Sequence, residues 1–251
     1  MDKTQRQQII LNEVRIHNRV LLADLAEILQ VSTDTVRRDI QELDGEHLLK
    51  KVHGGAVSNG FNVYADRTRE IYEQGNKTII AKKAISLLHK GDVVLISGGT
   101  TNQEFVRLLP KKMDLTFFTP SLPMAIELLN SAPNRYEVYL IGGKLSRSSQ
   151  LATGGSPISI LSEITADICF LGTGYLDIHK GITEVDWEIA QMKKEMITAS
   201  KRMVSLTISE KLNTANRYKI CDIHRLNTLV TELDPTDELL DPYREQNIQI
   251  L

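Results

Sequence analysis

Apolar positions near the amino terminus repeat with a helical period. Val36, Ile40 and Leu43 recur at i, i+4 and i+7, which places them on one face of a helix. Ser32 stands just before this run, and its hydroxyl can accept hydrogen bonds from the free amide groups of a first turn. The pattern therefore predicts a short amphipathic helix that starts after Ser32 and packs by its apolar edge.

A second apolar pattern with helical spacing ends just before this helix. This second pattern consists of Leu21, Leu22, Leu25, Ala26 and Leu29, and only Gln30 and Val31 separate it from the helix after Ser32. The sequence of residues 5–17 predicts a further helix that precedes these two. Three helices with a tight turn between the last two are typical of a helix-turn-helix.

The outward face of the third predicted helix is polar and cationic. At about 100° per residue, Arg38 and Gln41 lie opposite the apolar stripe, and Thr35 and Arg37 lie on its flanks. Residues 47–53 favour a strand and residues 54–57 a turn and return strand, so a small wing is predicted. A helix of this kind enters the major groove of DNA, with the wing near phosphates. The predicted DNA contacts are Ser32, Thr33, Thr35, Arg37, Arg38, Gln41, Lys50, Lys51 and His53. The alternative is a charged surface helix whose arginines are only solvated.

The rest of the chain alternates between strand and helix patterns. Residues 93–96 form a continuous apolar run, which is typical of a parallel strand buried on both faces. Comparable strands are predicted at 115–119, 138–141, 168–171, 203–207, 228–231 and 248–250, and helices at 76–88, 121–129, 156–164, 186–200 and 237–244. This alternation predicts a mainly parallel α/β sheet covered by helices. The predicted organisation is a winged helix-turn-helix domain at 1–58, a linker at 59–75 and an α/β domain at 76–251.

Composition and charge narrow the class of protein. The chain has 251 residues, with 41% hydrophobic and 25% charged positions, which is ordinary for a globular protein. We find no signal region or membrane-spanning run, and only Cys169 and Cys221 are present, without metal-type spacing. A cytoplasmic protein without metal, cofactor or membrane association is expected. The first sixty residues carry eight cationic and nine acidic side chains. Because so few cations can neutralise phosphates, one head should bind DNA weakly, so a homo-oligomer (dimer or tetramer) is expected.

The loops after the predicted strands are candidates for a ligand site. In open α/β sheets, ligands bind at the carboxyl ends of the strands. In residues 97–102, Gly98 and Gly99 allow close approach, Thr100 and Thr101 supply hydroxyls, and the next helix offers free amide groups. These groups suit an anion such as phosphate, and Lys211 can add a positive charge. The alternative is a tight strand-to-helix connection with no ligand.

Two stretches carry a family resemblance. The sequences S-T-D-T-V-R-R-D-I-Q-E-L and L-L-K-K-V-H-G-G-A resemble the amino-terminal signature of the DeoR family of bacterial repressors of sugar metabolism. Residues 76–251 resemble its sensor domain, which is similar in fold to ribose-5-phosphate isomerases. The resemblance implies a phosphorylated sugar or close relative as effector. It implies an effector site built from Gly98, Gly99, Thr100, Thr101, Asn102, Thr119, Gly142, Gly143, Gly172, Gly174, Lys193 and Lys211. The chain departs from the family pattern at Ser97, Pro120 and Ile208, where the family usually has Asp, Asn and Asp.

These observations favour a regulator that binds an operator in double-stranded DNA and responds to a phosphorylated metabolite. The resemblance implies a repressor rather than an activator. One rival is a sugar-phosphate isomerase with a DNA-binding head, whose carboxylate base would be sought among Asp177, Glu184, Asp186 and Glu188. A second rival is a constitutive DNA binder whose α/β domain only oligomerises.

Overall fold

The computed structural model describes residues 1–59, 71–131, 135–146 and 149–251. The chain forms two compact units, Met1–Tyr72 and Glu73–Leu251. Most of the predicted linker, residues 59–75, lies outside the described residues, so its boundaries stay a prediction.

The described helices and strands follow the predicted alternation. The helices are α1 (Lys3–His17), α2 (Leu22–Leu29), α3 (Thr33–Gly45), α4 (Gln74–Ile85), α5 (Thr100–Arg107), α6 (Leu122–Ser131), α7 (Gly155–Ser162), α8 (Trp187–Thr198) and α9 (Asp241–Arg244). The strands are β1 (Arg19–Leu21), β2 (Lys50–Val52), β3 (Gly55–Val57), β4 (Val93–Ile96), β5 (Leu115–Thr119), β6 (Tyr136–Leu140), β7 (Lys144–Leu145), β8 (Ala152–Thr153), β9 (Ile168–Gly172), β10 (Tyr175–Asp177), β11 (Gly181–Glu184), β12 (Met203–Leu206), β13 (Tyr218–Cys221), β14 (Thr228–Val230) and β15 (Gln249–Ile250).

The first unit packs α1, α2 and α3 around one apolar core. Val36, Ile40 and Leu43 are buried in it, as their spacing predicts, together with Ile10 and Leu25. Burial of this stripe leaves the opposite face of α3 in solvent, which is the orientation that a recognition helix requires.

The wing differs from the prediction in two ways. It has three strands in the order β1-β3-β2, because residues 19–21, which carry no strand signal, pair antiparallel with β3. The predicted strand at 47–53 is shorter, because the chain turns after α3. In this turn His47 lies in the left-handed region (φ 58°). The amide of Leu48 then donates to the Leu43 carbonyl oxygen at 2.9 Å, which closes the helix end. The first wing strand consequently begins only at Lys50.

The second unit is organised by a seven-stranded sheet. Its order is β15-β14-β12-β9-β4-β5-β6, and every neighbouring pair is parallel. From β4 the chain proceeds outward through β5 to β6, and then returns to the other side of β4 as β9. The strand order therefore reverses between β4 and β9, and ligands of open α/β sheets bind at the loops beside such a reversal. The predicted mainly parallel α/β class is confirmed.

Several features of this unit were not predicted. Strands β10, β11 and β13 form a separate antiparallel sheet, and β7 pairs with β8. Helix α4 begins at Gln74, whereas the sequence predicted a cap at Asn76. The predicted helix at 237–244 is split into a 3-10 turn (Glu238–Leu240) and the short α9. No described helix combines the length and the apolarity that crossing a bilayer requires.

Candidate nucleic-acid interface and effector site

The outward side of α3 is accessible and is held in a defined conformation. The Ser32 hydroxyl accepts a hydrogen bond from the Thr35 amide at 3.2 Å and contacts the Thr35 hydroxyl at 2.9 Å. The predicted Ser32 cap is therefore confirmed, and the contact between the two hydroxyls was not part of the prediction. Arg38 and Gln41 are exposed, and neither has a hydrogen-bond or ion-pair partner among the described residues. Thr33 is also exposed, and Arg37 forms an exposed ion pair with Asp34.

Helix α1 neutralises the carboxylates of α3. Asp39 is 2% exposed and accepts two hydrogen bonds from Arg6, at 2.6 Å from Nε and 3.0 Å from Nη2. Glu42 accepts from Lys3 at 2.6 Å and from Gln7 at 2.9 Å. The neighbouring Asp39 raises the pKa of Arg6. Two of the acidic residues of α3 are thus paired with cations of α1, and Arg38 remains available.

The wing adds further cations. Lys50, Lys51 and His53 are exposed on β2 and on the turn that follows it. The side chains of Lys50 and Lys51 form no ion pair among the described residues, although the Lys51 amide donates to Asp44 at 3.0 Å. Accessible cations on α3 and on the wing belong to the same unit, which is the distribution expected of a phosphate-contacting surface.

In the second unit, the loops after β4 and β9 meet where the strand order reverses. The Gly172 amide donates to the Ser97 hydroxyl at 2.6 Å. A Cβ atom on residue 172 would lie only 2.1 Å from the Gly98 carbonyl oxygen, so this close approach requires glycine. Gly99 has φ 123°, which side chains rarely tolerate. The Ser97 hydroxyl therefore joins the two loops.

The start of α5 presents several unfilled hydrogen-bonding groups. The first amide to enter the helical pattern is that of Gln103, which donates to the Gly99 carbonyl oxygen at 3.0 Å. The amides of residues 100–102 precede it, and the helix has no side-chain cap. The hydroxyls of Thr100 and Thr101 have no hydrogen-bond partner among the described residues. Asn102 donates to two backbone carbonyl oxygens, while its own buried Oδ1 is unpartnered. This helix start can therefore bind an anion by backbone and hydroxyl donors.

Three buried lysines lie in the same region. Lys193 donates to the Gly172 carbonyl oxygen at 2.8 Å and to Glu184 Oε2 at 2.7 Å. Lys211 donates to the Thr173 carbonyl oxygen at 3.1 Å. Lys77, in the first turn of α4, is 3% exposed and was not predicted, because nothing in the sequence distinguishes it from the lysines that follow it. We call Lys77, Lys193 and Lys211 the lysine cluster.

The electrostatics of the lysine cluster are unfavourable without a ligand. Burial, together with the charges of Lys77 and Lys193, lowers the pKa of Lys211 to about 7. Burial lowers the pKa of Lys77 to about 8, against the opposing effect of Glu73 and Glu210. Glu184, which pairs with Lys193, is buried, whereas Glu73 and Glu210 are exposed to solvent. Lys193 and Lys211 therefore place two buried amines beside one buried carboxylate.

The remaining predicted effector residues are distributed less tightly. Thr119 is the buried last residue of β5, and its hydroxyl accepts from the Ser121 amide at 3.1 Å. Gly174 lies in the turn after β9, beside Thr173. Gly142 and Gly143 are exposed after the edge strand β6, where Gly143 packs against Pro157. No described contact joins these two glycines to the lysine cluster.

The carboxylates considered for an isomerase base all have structural partners. Asp177 accepts from the amides of His179 and Lys180, Glu184 pairs with Lys193, and Asp186 caps α8. Glu188 accepts from Lys144 at 3.0 Å. Each of these four carboxylates therefore has a structural role in this unit.

Comparison with known proteins identifies both units. Residues 6–60 match the family described as "DeoR-like helix-turn-helix domain", and residues 73–233 match "DeoR C terminal sensor domain". The chain belongs to the DeoR family. It is 30% identical to the "HTH-type transcriptional repressor GlcR" of Bacillus subtilis, over all of this chain and 96% of that protein. It is 29% identical to the "Lactose phosphotransferase system repressor" of Staphylococcus epidermidis, over 92% of this chain and 93% of that protein.

Membership of the DeoR family makes this chain a DNA-binding transcription regulator and confirms the prediction of a regulator over an enzyme. Among solved structures, the ribose 5-phosphate isomerase A of Methanocaldococcus jannaschii matches with a TM-score of 0.39 and 16% identity, over 54% of this chain and 53% of that one. A score this low carries no functional argument.

The Arg6–Asp39 pair should position the recognition helix. Replacing Arg6 by Met leaves the Asp39 carboxylate buried without its partner, so the urea midpoint of the amino-terminal unit should fall. The double variant Arg6→Met, Asp39→Leu should recover part of this loss, because an apolar pair avoids the unpaired charge. The exposed Lys3–Glu42 pair serves as control, and Lys3→Met should change the midpoint much less. Equal effects of Arg6→Met and Lys3→Met would contradict this role.

Proposed function

We propose that this DeoR-family regulator represses genes of carbohydrate metabolism by binding an operator through α3 and the wing. We further propose that a phosphorylated sugar or a related anionic metabolite binds between the loops after β4 and β9. Binding of this metabolite would control whether the regulator stays on its operator or leaves it. One of its relatives is named as the repressor of a lactose phosphotransferase system, which supports this target class. An operator on chromosomal DNA is in keeping with a cytoplasmic location.

The observation that carries the effector proposal is the burial of Lys193 and Lys211 beside the turn after β9. These two buried amines stand beside one buried carboxylate, Glu184, which pairs with Lys193. Burying a charge without a counter-charge is costly, and a protein keeps such an arrangement where a ligand supplies the opposite charge. A phosphate monoester carries a charge of about −1.5 to −2 at neutral pH and would supply it.

The hydrogen-bonding groups nearby fit the same ligand. Phosphate oxygens are acceptors, and the start of α5 offers backbone amides and the Thr100 and Thr101 hydroxyls as donors. The Ser97 hydroxyl is occupied by Gly172, and Ile208 is buried and apolar, so neither supplies a carboxylate to the sugar portion. We therefore expect a phosphorylated ligand with fewer hydroxyl donors than a hexose phosphate, or with a different stereochemistry.

The DNA surface can be tested at Arg38. Replacing Arg38 by Ala removes an accessible guanidinium, and a lost bidentate contact costs about 1–3 kcal/mol in each bound head. Operator affinity in a gel shift should therefore fall at least tenfold. Arg15→Ala is the matched control, since Arg15 is exposed on α1 and the substitution changes the net charge equally. Affinity of the Arg38→Ala variant within twofold of the original would show that α3 does not read the operator.

The effector site can be tested at Lys211. Lys211→Met removes a buried amine at similar length, so the free protein should melt at an equal or higher temperature. In a thermal-shift panel of phosphorylated and unphosphorylated metabolites, a ligand at a hundredfold excess over Kd should stabilise the original protein by about 2.7 kcal/mol. Lys211→Met should lose most of this response, and Thr100→Val should weaken it. A best ligand without charge, or an unchanged response in both variants, would rule out a phosphate site.

Ligand binding should depend on pH. A bound anion favours protonated Lys211, so binding takes up a proton once the pH exceeds its free-protein pKa of about 7. Lys77, with a pKa of about 8, should also take up a proton when an anion binds. The other charged groups that act on Lys211 are Lys193, Glu184 and Glu210. A phosphate ester is already doubly ionised above its second pKa of about 6. The dissociation constant from calorimetry should therefore rise roughly tenfold or more from pH 7 to pH 9, and Lys211→Met should flatten this rise. Affinity independent of pH would contradict the assignment.

We also propose that the second unit joins two copies of this chain. Among the described residues, β6 pairs only with β5, so its other edge is open. Large apolar side chains are exposed on this strand and on the neighbouring α6, namely Tyr139, Leu140, Ile126 and Leu129. An open strand edge with apolar side chains is a template for pairing. A second copy is the fitting occupant, because the amino-terminal segment alone has few unpaired cations and two-fold operators bind two heads.

Sedimentation can test this interface. The double variant Leu129→Glu, Leu140→Glu should shift the protein to a smaller species at micromolar concentration and weaken operator binding. Leu239→Glu, at another exposed leucine of the second unit, should leave both properties unchanged. A monomeric original protein that binds its operator tightly, or an assembly unaffected by the double variant, would refute the proposal.

A further inference from the structure

The first turn of α3 places a carboxylate in the middle of the face that is proposed to contact DNA. At about 100° per residue, Leu43 of the buried stripe lies directly opposite Asp34 on the helix. Arg38 and Gln41 lie within about 40° of Asp34 on the same outward face. The side chain of Asp34 is 71% exposed. A carboxylate at this position is repelled by DNA phosphates unless it meets a hydrogen-bond donor on a base edge.

The position of Asp34 along α3 also fits a base contact. The amino-terminal residues of a recognition helix are the ones that reach base edges in the major groove. Two other polar groups of this turn are used within the helix, because the Ser32 hydroxyl accepts from the Thr35 amide at 3.2 Å and contacts the Thr35 hydroxyl at 2.9 Å. Asp34 is the acidic side chain of this turn, and it remains exposed.

The ion pair between Asp34 and Arg37 leaves hydrogen-bonding capacity on both side chains. Arg37 Nη1 donates to Asp34 Oδ1, and the Arg37 side chain is 54% exposed. Asp34 Oδ2 has no hydrogen-bond partner among the described residues. A guanidinium has five N–H groups, so Arg37 can keep this bond and still donate two more. The pair therefore presents one acceptor and several donors side by side.

One kind of base pair matches this arrangement in the major groove. Cytosine presents its N4 amino group as a donor, and its guanine partner presents O6 and N7 as adjacent acceptors. A carboxylate can therefore accept from cytosine N4 while an arginine donates to both guanine acceptors. In an A·T pair the adenine N6 donor lies between the acceptors adenine N7 and thymine O4, so a guanidinium finds no two adjacent acceptors there.

We propose that Asp34 determines part of the operator specificity, and that the Asp34–Arg37 pair recognises one C·G base pair in each half-site. Cytosine N4 donates to Asp34 Oδ2, and Arg37 donates to O6 and N7 of the guanine. This inference rests on the proposed contact between α3 and the operator, and it adds the base pair that this turn selects. Where that base pair is absent, the carboxylate finds no donor and opposes binding, so Asp34 also discriminates against other sequences.

Selection of duplexes from a random library with the full-length protein, followed by sequencing, tests this proposal. The original protein should select one C·G pair in each half-site that Asp34→Ala no longer selects. In gel shifts, replacing this pair by T·A should weaken binding of the original protein about fivefold or more, but that of Asp34→Ala less than about twofold. Asp34→Asn should accept adenine at the same position, because an amide accepts from N6 and donates to N7. Glu46→Ala removes an exposed carboxylate at the other end of α3, and this matched control should keep the original preference.

The outcomes separate this inference from the proposed operator contact. If Arg38→Ala weakens binding of the selected duplex but Asp34→Ala selects the same bases as the original protein, the role of Asp34 is wrong and the contact through α3 stands. An equal gain in affinity of Asp34→Ala for all duplexes would also overturn this role, since the carboxylate then acts only by repulsion. If neither variant changes affinity or base preference, both proposals fail together. Should the alanine variant not fold, Asp34→Asn applies the same test with a side chain of the same size.

Discussion

The constraint on which the second unit depends is the concentration of positive charge where its strand order reverses. Parallel strands β4 and β9 lie side by side, so the loops that follow them are forced into contact at Gly98 and Gly172. Lys193 and Lys211 donate to carbonyl oxygens of the second loop, and Lys77 approaches from α4. Burying this charge is costly, and under the proposed function a bound anion offsets the cost. A ligand that interacts more favourably with one state of a protein shifts the protein toward that state, which is what a sensor requires.

In the first unit, by contrast, negative charges lie on the helix that is proposed to contact DNA. Its recognition helix contains Asp34, Asp39 and Glu42, which would repel DNA phosphates if they were unpaired. Arg37, Arg6 and Lys3 pair with these three carboxylates, respectively. Arg38 and the wing lysines have no such partners among the described residues, and they provide the accessible positive charge. Local charge distribution, rather than net charge, therefore decides whether this unit can bind DNA.

Much of this organisation is predictable from local sequence. The burial of Val36, Ile40 and Leu43 follows from their spacing, and the position of the ligand loops follows from the order of parallel strands. The Arg6–Asp39 pair is not predictable in this way, because it joins residues 33 positions apart and depends on how α1 packs on α3. The burial of Lys77 is not predictable for a similar reason, since only the tertiary structure distinguishes it from Lys82 and Lys83. The antiparallel sheet of β10, β11 and β13 is not predictable because its strands have only three or four residues each.

The central claim is that an anion bound to the second unit changes the affinity of the first unit for DNA. The most direct test is a titration of operator affinity against the phosphorylated metabolite that best stabilises the protein, at constant ionic strength. The effect must be reciprocal, so the operator should change metabolite affinity by the same factor by which the metabolite changes operator affinity. A factor of about five or more in both directions, which is lost in Lys211→Met, is the result predicted here. Operator affinity that is independent of a bound metabolite would contradict the account.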